Sequence, residues 1–214
     1  LAGLVSGALI TYAKLPPFIA TLTMMSVARG LANILTEGRQ IVGYPEWFTN
    51  LATVRHFGFL SATVGFFLVM LLVAWVFLRF RAGGRNLYAM GGSPEVARLS
   101  GIKVRAITLW VYAISGALAG IAAVTLAARL DSSQPSAGLS LELDAIAAVV
   151  IGGASLAGGR GTVLNTLVGV VTLGVIGNIM NLASVPGYHE QVVMGIIIIV
   201  AILAQRGTGG LRGK

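Results

Sequence analysis

The chain has 214 residues, 56% of them hydrophobic and 10% charged, with 29 glycines and no cysteine. Soluble domains carry about 25% charged residues, and a core of this length does not hide so much apolar surface. That excludes a soluble enzyme, a disordered chain and a disulfide scaffold. The net charge of +8 lies between apolar runs and reads as the Lys/Arg bias of membrane loops, not as a nucleic-acid surface.

Taken in order, residues 1–13 are the tail of a span already under way. No basic segment precedes them, so they do not read as a signal peptide, and the chain is expected to be the C-terminal part of a longer polypeptide. Residues 18–36 form a further span, interrupted by Arg29. Segments 57–78 and 106–128 lack Asp, Glu, Lys and Arg, and each is long enough to cross a hydrocarbon core of about 30 Å. Residues 145–159 are apolar but short and carry Gly152-Gly153 and Gly158-Gly159; a broken or half-length helix is expected there. Segment 161–188 allows one crossing and a turn at Pro186-Gly187, and 191–205 is a short span completed by that turn. The expectation is an all-α polytopic membrane protein, a bundle of about seven transmembrane helices, one truncated and one short or broken.

Placing the C-terminus inside puts Lys14, Arg79, Arg81, Arg85, Arg98, Lys103, Arg105, Arg160, Arg206, Arg212 and Lys214 on that side. These are 11 of the 15 basic residues, the asymmetry that sets orientation. The opposite side receives Arg39, Arg55 and Arg129 with most of the acidic residues. Ser115, Ala119, Ala123 and Ala127, beside Gly116 and Gly120, make a small-residue face for close helix approach. It suits an intramolecular seam more than a subunit interface. Trp47, Phe48 and Tyr188 fall near span ends, where amphipathic rings anchor to the interface.

No catalytic constellation is visible, and His56 and His189 are the only histidines, so metal or nucleophile chemistry has little to build on. The run 153–158, GASLAG, resembles the opening of a phosphate-binding loop, but Gly159 and Arg160 stand where Lys and Ser or Thr belong. Residues 85–105, RNLYAMGGSPEVARLSGIKVR, carry a compact set of helix signals. Ser93 is a natural N-cap, Pro94 suits the first helical position, Glu95 favours the positive end and Gly101 suits the stop. A helix of about two turns is predicted over 94–100. One so short does not persist alone in water, so a partner is expected against it.

Residues 85–104, the run LAARLDSSQPSAG at 126–138 and the run ELDAIAAVVIGGASLAGGRGT at 142–162, with FIATLTMMSVARG at 18–30, closely resemble the ribose-type sugar permeases. These are membrane subunits of bacterial ABC importers of the binding-protein-dependent transport family. The resemblance runs from end to end of the chain and is most specific over 126–162; complete members are longer at the N-terminus. It implies a type II ABC-importer-like fold and a single transmembrane permease domain over 1–214, with 80–105 as a cytoplasmic loop bearing a coupling helix. It also implies a permease dimer in the bilayer, a periplasmic sugar-binding protein, and cytoplasmic ATPases that hold the ATP and magnesium; this chain would hold no cofactor and no metal. Pro94, Glu95, Ala97, Arg98, Leu99, Ser100 and Gly101 match the element that seats in the ATPase.

Several residues admit two roles. Arg29, a charge in an apolar run, fits either the translocation path or an arginine reaching the headgroups. Asn33, Asn178 and Asn181 offer amides to sugar hydroxyls or to neighbouring helices. Glu142 and Asp144 fit the N-terminal dipole of the short helix. Arg39, Glu46, Arg55, Arg129 and Asp131 fit either charge pairing with a docking protein or solvated loops. A branched-chain amino-acid permease is the alternative within transport. An ion-coupled carrier would want intramembrane carboxylates, and every Asp and Glu here falls in a loop or at a span end.

Overall fold

The computed structural model describes residues 1–53, 55–56 and 60–210. In chain order the elements are α1 (Ala2–Thr11), α2 (Pro17–Thr36), β1 (Ile41–Val42), α3 (Glu46–Thr53), β2 (Arg55–His56), β3 (Leu60–Ser61), α4 (Ala62–Phe80), α5 (Ala82–Gly92), α6 (Pro94–Leu99), α7 (Val104–Leu130), β4 (Ser132–Ser133), α8 (Leu141–Ile151), α9 (Val163–Leu182) and α10 (Gly187–Gly210). Among the described residues, α2, α4, α7 and α9 are long and apolar enough to cross a membrane; α1 and residues 192–201 of α10 are shorter apolar helices. Large apolar side chains such as Val69, Leu72, Ile114 and Val171 stay exposed, as on helices surrounded by acyl chains. The all-helical expectation omits two antiparallel ladders of two residues per strand, β1 with β4 and β2 with β3.

The chain divides into two compact units, one of Leu1–Met70 and Lys103–Gly138, the other of Leu71–Ile102 and Leu139–Lys214. In the first, α1 crosses α7 with almost no side chain between them. A Cβ on Gly116 would lie 2.8 Å from the Gly3 Cα, and one on Gly7 3.1 Å from the Tyr112 Cβ. The small-residue face of α7 thus serves intramolecular packing at Gly116, while Ala119, Gly120 and Ala123 remain exposed. Beyond the end of α7, β4 pairs with β1 (Ile41 opposite Ser133, Val42 opposite Ser132).

In the second unit the core is Ala147, Ala148, Leu173 and Met194, with Ile151 and Ile197 against it. The short helix predicted around 145–159 is α8, with Glu142 and Asp144 in its first turn where they complement the dipole. Gly152 and Gly153 end it, the latter at φ +78°, a region open to Gly at little steric cost. A Cβ on Gly152 would meet the Asn165 carbonyl oxygen at 2.5 Å, and one on Gly169 would overlap the Ala148 carbonyl. Only glycines let α8 and α9 come so close.

Candidate functional site

Residues 80–105 hold two helices where the sequence predicts one. The predicted helix is α6. The Val96 amide donates to the Ser93 Oγ at 3.3 Å, and Pro94 occupies the first turn. At the other end the Ile102 amide reaches the Ala97 carbonyl and the Gly101 amide the Arg98 carbonyl, each at 3.0 Å, with Gly101 at φ +81°. That is the paired closure of a Schellman stop. Glu95 and Arg98 form an exposed ion pair at 4.0 Å, and Ser100 Oγ donates to the Val96 carbonyl at 2.9 Å. The helix has two sides: Ala97 is 2% exposed, whereas Val96 and Leu99 are 61% and 79% exposed. Ala97 is a packing residue, and the outward apolar surface is Val96 with Leu99.

The unpredicted helix is α5. Glycines at 83, 84, 91 and 92 give it poor intrinsic propensity, and at 83, 84 and 91 a side chain would collide with a neighbour. A Cβ on Gly84 would lie 2.6 Å from Leu78 Cα, and one on Gly91 2.6 Å from the Gly159 nitrogen. In return, a Cβ on Gly158 would meet the Gly91 carbonyl oxygen at 2.5 Å, and one on Gly159 the Gly92 Cα at 2.9 Å. Gly158 and Gly159 sit at φ +91° and +73°, so this loop needs glycine for its conformation as well as for space. The Tyr88 hydroxyl donates to the Gly161 carbonyl at 2.9 Å. The segment that resembles a phosphate-binding loop is therefore a clasp for α5, one connection away from α6.

Arg29 and Asn33 lie on α2, in the first unit. Arg29 is half-buried and Asn33 exposed, and the Asn33 amide donates back to the Arg29 carbonyl at 3.0 Å. In the second unit Asn178 and Asn181, one turn apart on α9, line a polar recess of about 400 Å³ with Gly177 and Leu182. The remaining candidates belong to the first unit. Arg39 precedes β1, exposed Glu46 opens α3, and Arg129 is exposed in the last turn of α7. The side chain of Arg55 lies outside the described residues. Asp131 has a structural task that the sequence does not reveal. It closes α7 at φ +48°, and its Oδ1 accepts the Tyr44 amide at 3.2 Å, while the Tyr44 hydroxyl donates to Ser133 Oγ at 2.8 Å. Tyr44, Phe48 and Trp47 form a ring cluster, with centroids 4.7 and 5.9 Å apart. Among the described residues no group of His, Cys, Asp and Glu suits a metal ion.

The site thus combines a capped helix with one buried and one exposed apolar side and helices long enough to cross a membrane. The family model described as "Branched-chain amino acid transport system / permease component" matches residues 1–202. The chain belongs to this permease family. The permease is 42% identical over 211 residues to the ribose import permease protein of Bacillus subtilis, covering 94% of this chain and 63% of the relative. It is 38% identical over 213 residues to the ribose import permease protein of Haemophilus influenzae, at 98% and 66% coverage. With the D-allose transport system permease protein of Escherichia coli it shares 36% identity over 204 residues, at 95% and 62%. The chain thus spans just under two thirds of the length of these curated relatives. No solved structure matches it.

Proposed function

We propose that this chain supplies the membrane path and the lever of a permease subunit in an ATP-driven importer, carrying a pentose or hexose across the bacterial inner membrane. The observation that carries the coupling role is α6: closed at both ends, too short to persist alone, and presenting Val96 and Leu99 outward. That surface fits a groove on a cytoplasmic ATPase, which would bind ATP and magnesium and carry out hydrolysis. Nucleotide-driven closure of two ATPases would move α6 and, through α5, the start of α9. The sugar assignment is supported by the relatives named for ribose and allose.

In this reading two permease subunits pair, the C-terminus is cytoplasmic, and α1, α8 and α10 join the four long helices to make seven membrane segments in one permease domain. A periplasmic binding protein delivers sugar to the face bearing Arg39, Glu46, Arg55, Arg129 and Asp131. Arg29, Asn33, Asn178 and Asn181 line the path. The test is reconstitution of the full-length permease with its ATPase and binding protein in proteoliposomes, measuring ATP-dependent uptake of labelled ribose. Accumulation that needs all three components supports the proposal; none with any monosaccharide would end it. The family's description as a branched-chain amino acid permease favours a second reading, and leucine uptake in the same vesicles decides between them.

A further inference from the structure

The second unit contains a cavity of about 900 Å³ that the transport reading does not use. It lies between the C-terminal end of α4 and the N-terminal end of α9, and Arg79, Arg85 and Arg160 line it with Trp75, Tyr88 and Leu164. Three arginines, each exposed, thus line one recess. Among the described residues the ion pair found is Glu95 with Arg98. Glu142 and Asp144, carboxylates of the same unit, belong to the first turn of α8 and do not line the cavity.

Local structure accounts for one of these cations only. Arg79 stands in the last turn of α4, where a cation complements the helix dipole. Arg160 stands two residues ahead of Thr162, the N-cap of α9. There it faces the positive end of a dipole, a position that disfavours a cation and favours an anion. Val163 and Leu164, also in the cavity lining, open α9, and first-turn amides have no acceptor within their own helix. Arginines and free amides together ask for a planar or tetrahedral oxyanion. The other walls are apolar: Trp75, Leu78 and Leu164 continue from the ends of two membrane-length helices.

We propose that this recess binds the phosphate of an anionic phospholipid, with Arg79, Arg85 and Arg160 on the phosphodiester and the acyl chains along α4 and α9. A free phosphate shares the oxyanion chemistry but leaves the apolar wall uncovered. A soluble partner's carboxylate does the same. Basic pockets between transmembrane helices recognise anionic headgroups in this way. The proposal rests on α4 and α9 spanning a bilayer, and not on which solute is carried.

The full-length permease is reconstituted into nanodiscs of phosphatidylcholine with or without phosphatidylglycerol, and bound lipid is read by native mass spectrometry. Wild type is expected to retain phosphatidylglycerol selectively. Affinity should fall about fivefold for each arginine neutralised, so Arg85→Gln with Arg160→Gln lowers it on the order of 25-fold. The paired Arg85→Lys and Arg160→Lys variant retains most of it, which separates lost charge from lost folding. Arg105→Gln, an exposed cation of the first unit, leaves binding unchanged. Undiminished binding by the Gln pair, equal retention of phosphatidylcholine, equal loss with Arg105→Gln, or displacement by inorganic phosphate alone would each overturn the proposal. Lipid binding is read without transport, so a failed uptake assay leaves this result standing.

Discussion

Leu99 and Ala97, two residues apart on α6, separate two functions that substitution can test. Leu99→Glu alters only an exposed side chain, so it should abolish nucleotide-driven uptake while membrane insertion and Tm stay at wild-type values. Ala97→Glu buries a carboxylate without a partner, which costs several kcal/mol, and should lower Tm as well. Normal transport by Leu99→Glu would remove α6 as the contact. Asp131 divides in a similar way. Asn tolerates the left-handed region and keeps an acceptor, so Asp131→Asn should hold Tm. Asp131→Ala loses the bond to Tyr44 and strains the turn, at about 1–2 kcal/mol. If the charge also steers the binding protein, Asp131→Asn slows stimulation of ATPase activity, and added salt erases the difference.

At the scale of elements, the clasp between α5 and the 158–161 loop carries its own prediction. Gly159→Ala puts a Cβ against Gly92 and leaves a non-glycine residue at φ +73°, a cost of about 1–3 kcal/mol. Tyr88→Phe removes one hydrogen bond, about 0.5–1.5 kcal/mol. Both should reduce sugar uptake per ATP hydrolysed more than they reduce ATPase association, since α6 keeps its own caps; the ratio of the two rates measures it. The caps of α6 were legible because each depends on residues within one turn, Ser93 and Pro94 at one end and Gly101 at the other. The short α8 was legible from Gly152-Gly153. Helix α5 was not, because its glycines argue against a helix unless the partners at Leu78 and Gly159 are known. The tie between Tyr44 and Asp131, 87 residues apart, left no local signal at all.

For the whole molecule, composition already dictated a membrane environment, and the four long helices follow from apolar runs, three of them uncharged and one interrupted by Arg29, whose ends shifted by a few residues. The grouping of Arg79, Arg85 and Arg160 escaped sequence reasoning because it needs the ends of α4 and α9 to meet, whereas the pairing of Asn178 with Asn181 is one helical turn and was open to it. Orientation is testable directly, since the chain has no cysteine to confuse thiol labelling. Val96→Cys, exposed on α6, should react with an impermeant maleimide only after the inner face is opened. Ser136→Cys, exposed beyond β4, should react in intact spheroplasts. The reverse pattern would invert the proposed topology. Arg29→Ala should impair uptake at normal expression if the guanidinium lines the path; unchanged kinetics would assign it to the headgroups.

Where Gly91 and Gly92 meet Gly158 and Gly159, main chain bears on main chain with no rotatable group between them. Such a joint has no cushion. A displacement imposed on α5 cannot be taken up by rotamer changes and must be passed on to the residues that open α9, so the linkage works without backlash. The same stiffness leaves little room for drift: a methyl group added at Gly91, Gly158 or Gly159 would press on main chain within 3 Å and wedge the joint apart.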